Sequence, residues 1–160
     1  LAHIDVIGFI ALLLCGFGWG KPVMIDNRYY RRPRRDEFLV SIAGVVTNLA
    51  LAIVLACVSG MIYKSYLASH SQLMEYLFYI FFYAMTINLC LMVFNLIPVP
   101  PLDGWGIVTQ LFNLRQKSWY YNLYRYGSVI LILLVFLNVT DYILTPGISI
   151  MSNLLMSIFF

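Results

Sequence analysis

Four stretches of this chain are apolar over lengths that suit a lipid bilayer: residues 4–20, 38–63, 73–97 and 127–144. The hydrocarbon core of a bilayer is spanned by about 20 residues of helix. It holds no water to satisfy an exposed backbone group, so runs of this kind close their hydrogen bonds internally as helices. The first run is short for a full crossing. After the fourth, Thr145-Pro146-Gly147 reads as a helix break, and a last apolar tail closes the chain. Composition excludes a water-soluble alternative. The chain is 62% hydrophobic and 11% charged, where soluble domains run about 45–50% and 25%, so a soluble fold would have too little polar surface to cover itself. The expected fold is all-α, a polytopic transmembrane helix bundle, with residues 1–160 forming a single membrane-embedded domain.

The ten basic residues are unevenly placed. Lys21, Arg28, Arg31, Arg32, Arg34 and Arg35 fall in the loop 21–37, and Arg115, Lys117 and Arg125 in the segment 113–126; between them stands Lys64 alone. Two spans separate the basic loops, so both can lie on one side, and the excess of Lys and Arg makes that side cytoplasmic. The expectation is an integral protein of the cell membrane. Juxtamembrane placement accounts for Arg31-Arg32-Pro33-Arg34-Arg35, with membrane lipid, anionic headgroups included, as its contact and no nucleic-acid partner. Tyr29-Tyr30, Trp119-Tyr120-Tyr121 and Tyr124 fit an interfacial aromatic belt. Cys15, Cys57 and Cys90 sit far apart inside apolar runs, without metal-ligand spacing, and read as packing residues. No signal peptide is evident.

Along the second run, Gly44, Asn48, Ala52, Ala56 and Gly60 recur every four residues. Small side chains on one stripe let helix backbones approach closely in a membrane, so this face is expected against another helix. Asn48 on it needs a hydrogen-bond partner, whether as structural glue or beside a functional site.

The third run ends in Pro98-Val99-Pro100-Pro101-Leu102-Asp103-Gly104. Three prolines remove three backbone donors and push Ile97, Val99 and Pro100 towards extended backbone, giving an extended break before Asp103. Irregular backbone at membrane depth belongs inside protein or beside a wet cavity. An ionised Asp at the bilayer centre costs about 2.5–3.5 kcal/mol, which makes it a functional-site candidate. A metal ion would offset that cost, carboxylate oxygen being a regular zinc ligand. A helix N-cap or an interfacial position would lower the cost too, and the residue alone leaves these readings open.

Asn95-Leu96-Ile97-Pro98-Val99-Pro100-Pro101-Leu102-Asp103-Gly104 resembles the Asn-x-x-Pro-x-x-x-x-Asp-Gly motif of the site-2 protease family, the intramembrane zinc metalloproteases. Two further stretches resemble its bacterial and archaeal branch: His3-Ile4-Asp5-Val6-Ile7-Gly8 with Phe17-Gly18-Trp19-Gly20-Lys21-Pro22-Val23, and Arg34-Arg35-Asp36 leading into Ala43-Gly44-Val45-Val46-Thr47-Asn48. The family usually has Pro where Val45 stands. The resemblance covers roughly residues 1–145. It implies a zinc-dependent endopeptidase that hydrolyses peptide bonds of transmembrane substrates. In it Asp103 is the third zinc ligand, and Asn48, Asn95, Pro98 and Gly104 support the site or bind substrate. It also implies Zn2+ as cofactor, polarising the scissile carbonyl and acidifying water.

The family's His-Glu-x-x-His helix, which aims two imidazoles from one face with a Glu as base, is absent: the histidines are His3, followed by Ile4, and His70, followed by Ser71. His3 reads as a polar residue at a span boundary, and His70 as a solvated loop residue. No catalytic residue of that motif lies in this chain. The expectation is an N-terminally truncated protease, the C-terminal part of the family domain, inactive as these 160 residues alone. The competing readings are a non-catalytic protease-like scaffold or regulator and a transporter fragment, since broken helices near an acidic residue also build ion sites.

Overall fold

The structure, a computed structural model, describes residues 31–160 continuously and, before them, Asp5, Val6, Phe9, Ile10, Leu13 and Gly20. His3, Cys15, Tyr29-Tyr30 and most of the first apolar run and of the loop 21–37 therefore lie outside the described residues. The chain divides into two compact units, Leu1–Pro33 and Arg34–Phe160. In the first, Phe9 N–H donates to the Asp5 carbonyl at 2.9 Å, a turn of helix.

The second unit is helical, and no strand occurs among the described residues. Helix α1 runs Pro33–Ser69, α2 Gln72–Asn95, α3 Asp103–Phe112, α4 Tyr120–Phe136 and α5 Asp141–Phe159, with a 3-10 turn at Leu114–Gln116. Helices α1, α2 and α5 are long and apolar enough to cross a membrane; α4 is apolar and shorter. A polytopic all-α bundle is the fold expected from the sequence.

Pro33 opens α1 at the position where a missing N–H costs nothing, and Asp36 in the first turn suits the positive end of the helix dipole. The helix outlasts the expected span: 37 residues rise about 55 Å, so it projects beyond a hydrocarbon layer of about 30 Å. The loop expected at 65–72 is correspondingly short. Ser65 and Ser69 hydroxyls bond back to the carbonyls four residues earlier, and the chain reverses only at His70, in the left-handed region with φ 48°.

The stripe on α1 faces protein. Ala52 and Ala56 are fully buried with Met85 and Leu89 of α2 and Leu155 of α5. One turn or two nearer the start of α1, Val45 packs with Met92 and Val93, flanked by Leu144 and Ile148. At the far end, a Cβ on Gly60 would stand 2.5 Å from the Phe159 carbonyl oxygen. Outward faces carry exposed Val54, Ile80, Ile87, Leu133 and Ile150, the surface a bundle offers to lipid.

The fourth span differs from expectation. Helix α4 begins at Tyr120, inside the aromatic segment 113–126, and stops at Leu137; Asn138 then turns the chain with φ 56°. Helix α5 passes straight through Pro146 and Gly147. The reason is packing: a Cβ on Gly147 would meet Val93 Cγ1 at 2.8 Å, so the Pro-Gly pair lies in close contact with α2. Proline costs one helical hydrogen bond, which a bundle tolerates where neighbours hold the helix.

Candidate metal-ligand site

The three prolines before Asp103 shape a series of tight turns. Ile97 N–H donates to Phe94 (3.1 Å), Val99 to Ile97 (2.8 Å) and Leu102 to Val99 (2.9 Å), while residues 98, 100 and 101 have no donor to satisfy. The Pro100–Pro101 peptide is cis. Pro98 is exposed and Pro100 buried, its ring lying where a Cβ on Gly127 of α4 would fall. The turns fold back onto the start of α3: a Cβ on Gly104 would collide with the Leu96 carbonyl and stand 2.6 Å from the Ile97 oxygen. Glycine after Asp103 is thus a requirement of close backbone approach. Leu102 is the cap residue and Asp103 the first helical residue, making no side-chain cap bond.

Helix α1 supplies the other wall. A Cβ on Gly44 would stand 2.6 Å from Asp103 Oδ2 and 3.7 Å from its Cγ, the only atoms of the described residues, outside α1's own backbone, within 4 Å of that point. One turn away the roles reverse, and the Ser41 hydroxyl fills the notch at Gly106. Further on, the Arg34 guanidinium donates to the Gln110 carbonyl at 3.1 Å, and Arg115 pairs with Glu37. The pairs 44–103, 41–106 and 34–110 run in opposite senses, so α1 and α3 are antiparallel here. They also put the start of α1 and the segment after α3 at one end of the unit. Seven residues separate Glu37 from Gly44, so Asp103 meets α1 about 10 Å inside the end marked by that charge.

The Asp103 side chain is half-buried, and neither a hydrogen bond nor an ion pair reaches its carboxylate among the described residues. A carboxylate with free lone pairs, standing over the space of a missing Cβ, fits the oxygen ligand of a zinc site. It fits one corner only: among the described residues no three His, Cys, Asp or Glu side chains converge. His70 is exposed and lies just past the end of α1, 26 residues beyond Gly44 and about 39 Å along the helix axis. His3 lies outside the described residues.

Of the other expected site residues, Asn48 is half-buried one turn beyond Gly44, on the same face of α1 as the Asp103 seat. Asn95 is half-buried and ends α2 just before the turns. The sequence reading overlooked Ser41 and Gly106. It also overlooked a buried face of α3 on which Trp105 Nε1, Thr109 Oγ1 and Gln110 Nε2 have no hydrogen-bond partner; the Trp105 ring stacks on Tyr120, centroids 5.6 Å apart. Polar types spaced four and five apart on a short helix were the available signal.

The model of peptidase family M50 matches residues 7–137. The chain is also similar to a Bacillus subtilis (strain 168) protein named "Putative zinc metalloprotease YwhC", 35% identical over 152 residues, which cover 91% of this chain and 67% of that one. No solved structure matches.

Proposed function

Because the chain belongs to peptidase family M50, the site-2 protease family, we propose that it is the zinc-ligand-bearing part of an intramembrane endopeptidase, with Asp103 as the carboxylate ligand. One observation carries the reading: a half-buried carboxylate without partners among the described residues, set by a proline turn against the Gly44 notch of a helix long and apolar enough to cross a membrane. When bound, zinc supplies Lewis-acid polarisation of the scissile carbonyl and acidifies the hydrolytic water. Asp103 holds one coordination position and contributes negative charge there. Asn48 and Asn95 offer amide groups for hydrogen bonds to substrate backbone or to charge developing on the carbonyl oxygen. The turns at 96–102 border the site and receive a locally unwound segment of a transmembrane substrate, whose peptide bonds are otherwise paired within its helix.

A catalytic zinc needs three protein ligands and an open position. The described residues provide one carboxylate toward that set. The charge of 21–37 and 113–126 supports a cytoplasmic side for both, which would set the site nearer that face, since it lies near the shared end of α1 and α3. The test is expression of the complete protein with a transmembrane substrate, native and as Asp103→Ala. Cleavage by the native protein, and none by a variant that inserts normally, is the expected result. Undiminished cleavage by the variant would overturn the assignment.

A further inference from the structure

We infer that Gly44 is a positioning residue for Asp103, its missing side chain forming the seat on which the ligand carboxylate rests. The inference builds on the zinc reading above. Glycine weakens a helix interior relative to alanine, so its place inside α1 calls for a reason. At four of the other notches of this unit, the group that an added Cβ would meet belongs to the framework: backbone oxygen at Gly60 and Gly104, the Pro100 ring and carbonyl at Gly127, and a valine methyl at Gly147, while Gly106 meets the Ser41 side chain, Cβ included. At Gly44, among the described residues and apart from the helix's own backbone, it meets the Asp103 carboxylate, with Oδ2 at 2.6 Å.

That difference separates two costs that usually travel together. The atom in the way is the free end of a short side chain, without hydrogen bonds to hold it. A methyl at position 44 therefore leaves the helices where they are and turns the carboxylate aside. The fold tolerates this; a metal ligand does not, since coordination distances are fixed within about 0.2 Å. The adjoining Ser41–Gly106 contact holds α1 and α3 close one turn away. In effect α1 dictates the position of a ligand carried by α3.

The experiment uses the complete gene product, with zinc affinity measured by chelator competition and folding by thermal unfolding in detergent. Gly44→Ala is expected to weaken zinc binding about tenfold or more, the range seen when groups that orient ligands are lost, with its melting temperature close to native. Gly60→Ala, whose methyl meets the Phe159 backbone, should do the reverse: a lower melting temperature and native zinc affinity in the folded fraction. Native zinc affinity in folded Gly44→Ala would overturn the inference. Should Gly44→Ala fold poorly, Gly44→Ala combined with Asp103→Ala is expected to restore folded yield, because the Asp103 carboxylate that the methyl would meet is gone. Failure of that rescue would overturn it as well. Asp103→Ala alone separates the two claims: if it keeps its zinc, the ligand assignment falls, whereas its loss of zinc beside an unaffected Gly44→Ala removes the seat and leaves the ligand.

Discussion

Single residues carry the site by what they lack as much as by what they bear. Gly104 has no room for a side chain because the Leu96 and Ile97 carbonyls occupy it, and neither backbone group can rotate away. Gly104→Ala is therefore expected to destabilise by about 1–3 kcal/mol, as overpacking does, and denaturant titration of the purified protein would check it. An unchanged midpoint would mean that the turn does not fold back onto α3. Thr109 gives the opposite case. Its hydroxyl is buried, with 2% of the residue exposed and no partner, and an unsatisfied buried polar group costs about 1–3 kcal/mol. Thr109→Val, the same shape without the hydroxyl, should leave the melting temperature unchanged or raise it. The Asp103-Gly104 pair was legible in the sequence, since a string of ten residues holds both the proposed ligand and the turn that crowds its glycine. The role of Gly44 was not, because its partner lies 59 positions away and only packing brings the two together.

Among the elements, α1 was the easiest to foresee and α5 the hardest. A stripe of small residues every fourth position states that a helix has a neighbour without saying which. The structure supplies α2 and α5 along Ala52 and Ala56, and α3 at Gly44. Ala52 is fully buried while Val54, half a turn away, is 59% exposed. Ala52→Leu should accordingly lower the folded yield and cost about 1–3 kcal/mol, with Val54→Leu near neutral; equal tolerance would count against this packing face. The end of α4 was misread because Pro146-Gly147 outweighs Asn138 in any local rule, yet Asn138 is the residue that takes the left-handed turn. Contact with Val93 decides that α5 continues through its proline, and contacts of that kind are written in no window of sequence.

At the scale of the molecule, two side-chain links, Arg34 to Gln110 and Arg115 to Glu37, put the start of α1 and the turn after α3 at one end. Charge counting puts the two basic segments on one side of the membrane, and the described end of the first, Arg34 to Glu37, adjoins Arg115 of the second. The side itself is testable. In a background without native cysteines, Gln116→Cys should resist a membrane-impermeant thiol reagent added outside intact cells, and Ser69→Cys should react; the reverse pattern would invert the topology. The central claim, that Asp103 is a ligand, needs no assay of proteolysis. Zinc content per protein, measured by elemental mass spectrometry on the purified complete gene product and on its Asp103→Ala variant, tests it directly. The account predicts about one zinc per native chain, in line with a single catalytic site, and a large loss in a variant that remains folded and inserted. Full zinc occupancy in that variant would contradict it.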